Sequence, residues 1–165
     1  MTAISREHSV ARMLPDVTMT AGDGRVVNPG DYRHRKHLVL ILLPDPPVAS
    51  GTPVLPSLSA RYAEFAGENA EVLAVFPAFP PDSPAPDRYP FPVLEDRDGT
   101  LSNTLSERRV PGIPRSTVYV ADRYGEIFRS FDVAVGDPLP LEELLSWIRF
   151  LERLCPERGV PDEPA

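Results

Sequence analysis

KHLVLILLPDPPVASGT, residues 36–52, is the stretch whose reading decides the fold. Its first half, residues 38–43, is an unbroken apolar run with charge before it and Pro44 after it. A run this short and this apolar fits a strand buried on both faces. In an open α/β sheet the chemistry sits just past the carboxyl end of such a strand. Here that segment is residues 44–53. It holds four prolines, small residues and one carboxylate, Asp45, with neither cysteine nor histidine. The place for an active site is present and the reactive group is not.

Working outward, residues 53–70 read as a helix, with Pro56 in its first turn, Leu58, Tyr62 and Phe65 facing the sheet, and an end at Gly67 to Asn69. Residues 71–76, EVLAVF, form the next buried strand, which gives a right-handed βαβ unit. Before the central strand, residues 1–14 are either frayed or a short helix, and residues 14–19 read as an edge strand. Asp23-Gly24 makes a turn to a returning arm at 25–27, and residues 28–32 form a second turn or helix start. After the βαβ unit comes a proline-dense, aperiodic loop at 77–90. It reads equally as a lid or partner-binding segment and as a tolerated insertion. An extended segment at 91–95, a turn at 96–99 and a short helix at 100–107 follow. A rigid loop at 110–114 leads into a hairpin of strands 117–121 and 126–131 about Asp122-Arg123-Tyr124-Gly125. Residues 138–154 form the last helix, with Leu141, Leu144, Leu145, Ile148 and Leu151 as its apolar stripe and Trp147 beside it. Residues 155–165 are a polar tail.

Composition sets the outer limits. A chain of 165 residues with 42% hydrophobic content is one domain with a real core. The net charge of −7 argues against nucleic acid or an anionic membrane as partner. No apolar run approaches the ~20 residues that span a bilayer, and the N-terminal residues lack a signal-peptide core, so the expected location is the cytoplasm. One cysteine excludes an intramolecular disulfide and a cysteine-only metal cage. Twenty-one prolines stiffen the connections.

The ordered set of motifs resembles the alkyl hydroperoxide reductase/thiol-specific antioxidant (redoxin) family, over roughly residues 14–154. Residues 15–19 (PDVTM), Asp23-Gly24 and residues 30–33 (GDYR) are similar to its opening. Residues 58–77 (LSARYAEFAGENAEVLAVFP), 91–99 (FPVLEDRDG) and 117–127 (TVYVADRYGEI) resemble its later motifs. The resemblance implies an α/β, thioredoxin-like fold of peroxiredoxin type, a central mixed sheet with helices on both faces. In that family a peroxidatic cysteine, preceded by Thr and Pro, opens the helix after the central strand. Its thiolate is favoured by the helix N-terminus and an arginine. Here the corresponding residues are Val48 to Thr52, and the degenerate site is Ser50, Gly51 and Thr52. An alcohol there lacks an activating base and cannot take the sulfenic acid route. The family arginine falls on Ser116, or on Arg115 if a bulge shifts the strand by one. The family's cis-proline also falls at Ser116, with Pro114 two residues earlier. Thr52, Pro114, Arg115 and Ser116 are therefore the expected ligand-binding set.

Cys155, in CPERG at 155–159, looks like a knuckle whose second cysteine is replaced by Arg158. It is read as an inert helix-end cysteine, an intermolecular disulfide former or a reactive thiol near Arg158. A helix C-terminus disfavours thiolate. Arg115 either binds an anion or pairs with a carboxylate. His34 and His37 read as a solvated basic turn, with half a metal site as the lesser reading, and no cofactor or metal is expected. The expectation for function is a peroxiredoxin-like binding or interaction module without peroxidase activity of its own. Its partner is an unidentified protein or a second copy. A thiol oxidoreductase using Cys155, and anion or small-molecule binding at the vacated pocket, stand as the alternatives.

Overall fold

The structure, a computed structural model, describes residues 4–44, 54–79, 88–105 and 115–158, excepting the side chains of 4–11 and 155–158. Strand β4 (His37–Leu42) is buried at every position, as its apolar run requires. It pairs in parallel with β5 (Ala70–Phe76), with Val39 opposite Val72 and Leu42 opposite Val75. Helix α1 (Val54–Gly67) makes the crossover. On its other side β4 pairs antiparallel with β7 (Arg115–Ala121), which forms a hairpin with β8 (Glu126–Ala134). Adding β1 (Ile4–Met13), β2 (Met19–Ala21), β3 (Val26–Val27) and β6 (Val93–Glu95) gives one mixed sheet in the order β1-β8-β7-β4-β5-β6-β2-β3.

Strand alternation divides the core into two layers. Val39, Ile41, Val72, Ala74, Val118 and Val120 face α1 and α3 (Leu141–Arg158). Leu38, Leu40, Leu42, Leu73 and Val75 face the other side, where Leu101 of α2 (Thr100–Thr104), Leu105 just beyond it, and Met19 and Val27 of the β2–β3 hairpin cover them. Each fully buried Leu, Ile, Val or Phe side chain contributes roughly 1.5–3 kcal/mol through removal from water. Leu58 and Phe65, at helical spacing on α1, are both 0% exposed.

Local chemistry ends each element. Asn69 takes the left-handed backbone, φ 57, beyond α1, and its Nδ2 donates to the Arg35 carbonyl at 2.9 Å. Asp96 accepts the N–H groups of Leu101 and Ser102 at 3.2 and 3.1 Å, satisfying donors at the start of α2. Asp122 Oδ1 accepts from Tyr124 N and Glu126 N, and Gly125 closes that turn at φ +85. Glycine is favoured there, since that φ strains other residues and a Cβ would stand 3.2 Å from Arg33 Nε.

Three sequence expectations change. Residues 4–13 are neither frayed nor helical. They form an edge strand along β8, with Ile4 opposite Asp132 and a register shift between Glu7 and Arg12. Pairing over such a separation leaves little local pattern to read. Residues 14–18 are not strand, and β2 begins at Met19. Helix α3 continues through Cys155 and Pro156 to Arg158, beyond the expected end at 154. Residues 80–87 of the proline-dense loop, the loop at 110–114 and the tail beyond 158 lie outside the described residues.

Two predictions follow from the packing. Phe65→Ala lowers unfolding stability by about 3–5 kcal/mol in urea titrations, through lost burial and the cavity left behind. Glu95 Oε2 accepts the Phe79 N–H at 2.7 Å, and Oε1 meets Arg97. Burial pushes the Glu95 carboxyl up, but that N–H and the Arg97 guanidinium outweigh it and hold it below its ordinary value of 4.5. A depressed carboxyl stabilises the fold above its unfolded pKa, and that contribution disappears as pH falls through the folded one. The stability gap between wild type and Glu95→Gln is therefore widest near neutral pH and narrows as pH falls below the ordinary glutamate value of about 4.3. Urea titrations across pH 2–7 measure it.

Candidate functional site

The position of interest is the carboxyl end of β4. Leu43 and Pro44 continue buried past the strand, and α1 opens at Val54 with Val54 and Leu55 buried. Ser50, Gly51 and Thr52, and Pro114 on the neighbouring loop, lie outside the described residues. The structure does place the start of β7 here. Because β7 runs antiparallel to β4, the last pair is Leu42 with Thr117, and Ser116 and Arg115 continue past it.

The ladder separates these two residues. Ser116 lies opposite Val133, is 3% exposed and shares a face with Val118, the face covered by α1 and α3. Arg115 lies opposite Ala134 on the other face, with Thr117 and Asp132. A bulge at Arg115 would have carried it to the α1 face. The β7–β8 ladder is regular from Arg115 to Val120, and its one irregularity falls between Val120 and Ala121. Arg115 is half-buried, and its buried Nε has no hydrogen-bond partner. Asp132, the carboxylate on its face, accepts instead from Thr117 Oγ1 at 3.1 Å. Arg115 therefore shows no ion pair among the described residues. The strand end offers a cation with a spare N–H and a buried hydroxyl-bearing residue on the opposite face. The Arg115 guanidinium has donors for an anionic or carbonyl oxygen, and Ser116, facing the other way, does not share them. Neither residue supplies a sulfur nucleophile.

Cys155 belongs to the opposite end of the sheet. Glu152, one turn earlier on α3, places an oxygen 2.6 Å from Nε2 of His37, the first residue of β4. Arg149 reaches Glu68, just past the end of α1, at 3.2 Å. Between His37 and Leu42 the strand spans about 17 Å. The helical turn carrying Cys155 lies beyond the amino end of β4, away from the strand end where the family places its thiol.

His37 corrects the reading of a solvated basic turn. It is 0% exposed, its Nδ1 accepts the Arg123 N–H at 3.1 Å, and its Nε2 faces Glu152. The second bond assigns the proton to Nε2. This histidine clips α3 and the β7–β8 turn to the start of β4. His34 stays exposed at φ 63, its ring edge-on to Tyr124 at 5.6 Å. Among the described residues no group of three or more His, Cys, Asp or Glu side chains is arranged to hold a metal. None of their helices is long and apolar enough to cross a membrane. Sequence reasoning missed one buried carboxylate, Glu71, although a charge opening an otherwise apolar strand was a visible signal.

No curated protein matches the sequence. Solved structures do. Xanthomonas campestris peroxiredoxin Q superposes with a TM-score of 0.67 at 16% identity, covering 84% of this chain and 96% of that one. Mycobacterium tuberculosis peroxidoxin BcpB gives 0.66 at 17% identity, with 86% and 96% coverage. Mycobacterium bovis AhpC gives 0.66 at 18%, with 97% and 99%. At such identities the likeness establishes the fold, which is the thioredoxin-like fold of these peroxiredoxins. The family follows from the sequence match. Residues 10–131 fit the AhpC/TSA description, and this chain belongs to the AhpC/TSA family.

Proposed function

We propose that this chain keeps the peroxiredoxin framework without peroxidase activity of its own and serves as a binding or interaction module at the end of β4. The observation that supports this reading is the location of sulfur. Residues 44–53 contain no cysteine, and the one cysteine of the chain rides on the last turn of α3, at the far end of the sheet. Peroxide reduction in this family's manner needs a thiolate that becomes a sulfenic acid. An alcohol in its place cannot follow that route. The ligand class that fits the strand end is an anion or a small oxygen-rich molecule held by Arg115. The chain acts in the cytoplasm with a protein partner or a second copy, and not with nucleic acid or a membrane, in keeping with a net charge of −7.

Family membership favours a second reading, a thiol-dependent peroxidase working through Cys155. Its thiolate would attack a peroxide oxygen, release water or an alcohol, and be returned from sulfenic acid by an external dithiol. The helix C-terminal location of Cys155 opposes thiolate formation.

The deciding measurement is consumption of hydrogen peroxide and an alkyl hydroperoxide by the full chain with excess dithiol. The rate is expected to equal that of dithiol alone. Protein-dependent consumption that disappears in Cys155→Ser transfers the assignment to the second reading. A further expectation concerns Arg115. A buried N–H without an acceptor costs free energy, so Arg115→Met, which keeps the stem and removes the donor, leaves stability unchanged or raises it by up to about 1–2 kcal/mol. A clear loss of stability in urea titration would mean that Arg115 is a structural ion pair.

A further inference from the structure

The lower edge of β5 carries a second site. Strand β6 meets β5 only from Ala74 onward, so Glu71 and Val72 face no described strand on that side. Glu71 covers this edge itself, its Oε1 accepting the Val72 N–H at 2.9 Å. Tyr62, from α1, and Tyr32, closing the 3-10 turn Pro29–Tyr32, both stand within the field of the same carboxylate. Both phenols are held above their ordinary range, by burial first and by Glu71 next.

Glu71 is 8% exposed, and no Lys, Arg or His nitrogen among the described residues lies within 4 Å of it. A buried carboxylate without a counter-charge is expensive. Among the described residues this one accepts the Val72 N–H against roughly four lone-pair sites. Beside it opens a cavity of about 300 Å³, walled by Tyr32, Tyr89 and Phe91, with Asp23 and Arg25 at its margin. The Tyr89 and Phe91 rings stack at 5.5 Å and 17°, and Tyr62 packs 6.0 Å from Phe91. Arg25 is committed to Asp23, Nε to Oδ2 at 2.8 Å.

We propose that this cavity binds a small organic cation, an ammonium or guanidinium group seated against the Glu71 carboxylate and against the rings of Tyr32, Tyr89 and Phe91. Aromatic faces attract cations placed within about 6 Å of the ring centre, most strongly where water is excluded. The carboxylate supplies the missing partner charge. The volume stands at the small end of ligand sites, which selects a compact head group over an extended molecule. The site is separate from the end of β4, since Glu71 pairs with Leu38 near the start of both strands. Its success or failure leaves the proposed function unaffected.

The test titrates the full chain with choline and with 3,3-dimethylbutan-1-ol, choline's neutral isostere, following tyrosine and phenylalanine ring resonances by NMR. Choline is expected to bind saturably, with shifts concentrated on Tyr32, Tyr89 and Phe91, and the neutral alcohol about tenfold or more weakly. Glu71→Gln is expected to weaken choline by about tenfold or more, whereas Asp23→Asn, at the exposed margin, changes it little. Equal binding of choline and its isostere overturns the proposal, as does the absence of saturable choline binding up to about 10 mM. If Glu71→Gln does not fold, the comparison of the two probes on the wild-type chain still decides.

Discussion

Everything in this molecule is arranged around the burial of β4 on both faces. A strand whose six residues all avoid water needs paired backbone on each side and an apolar layer above and below. Strands β5 and β7 supply the first, one parallel and one antiparallel. Helices α1 and α3 cover one face, and α2 with the β2–β3 hairpin covers the other. The crossover helix exists because a parallel partner cannot be reached by a tight turn.

The two ends of β4 hold different polar groups. At its start, His37 is wholly buried and both ring nitrogens are engaged, one by the Arg123 N–H and one by Glu152. A satisfied polar group of this kind fixes where α3 and the β7–β8 turn dock. At the other end, Arg115 keeps a buried N–H without a partner while the nearest carboxylate on its face is engaged by Thr117. A buried polar group without a partner calls for an explanation, and for Arg115 the one proposed above is a bound anion. Glu71 repeats the pattern at the sheet's lower edge with the opposite sign of charge. A chain with no cysteine at residues 44–53 thus keeps polar groups with unspent capacity at Arg115 and at Glu71.

Much of the framework was legible because its signals are local. The runs at 38–43 and 71–76, the stripe of α3 and the turns at Asp96 and Asp122 lie within a few residues of their structural consequence. The candidate site was legible only as a position. Sequence comparison left Arg115 and Ser116 as rival occupants, and the regular β7–β8 register put them on different faces. Strand β1 gave no local sign, because its partner β8 lies more than a hundred residues away. His37 read as part of a charged turn, because nothing nearby in sequence reveals that Glu152 closes over it.

The amino-acid order alone determined the layered α/β framework, its family and the lack of a thiol after the central strand. All three depend on residue type and short-range periodicity. Tertiary structure alone decided that the turn carrying Cys155 lies beyond the amino end of β4, that Arg115 and Ser116 face apart, and that buried Glu71 borders an aromatic-walled cavity with no ion-pair partner among the described residues. Those are relations between residues distant in the chain, which acquire a distance only when the sheet assembles.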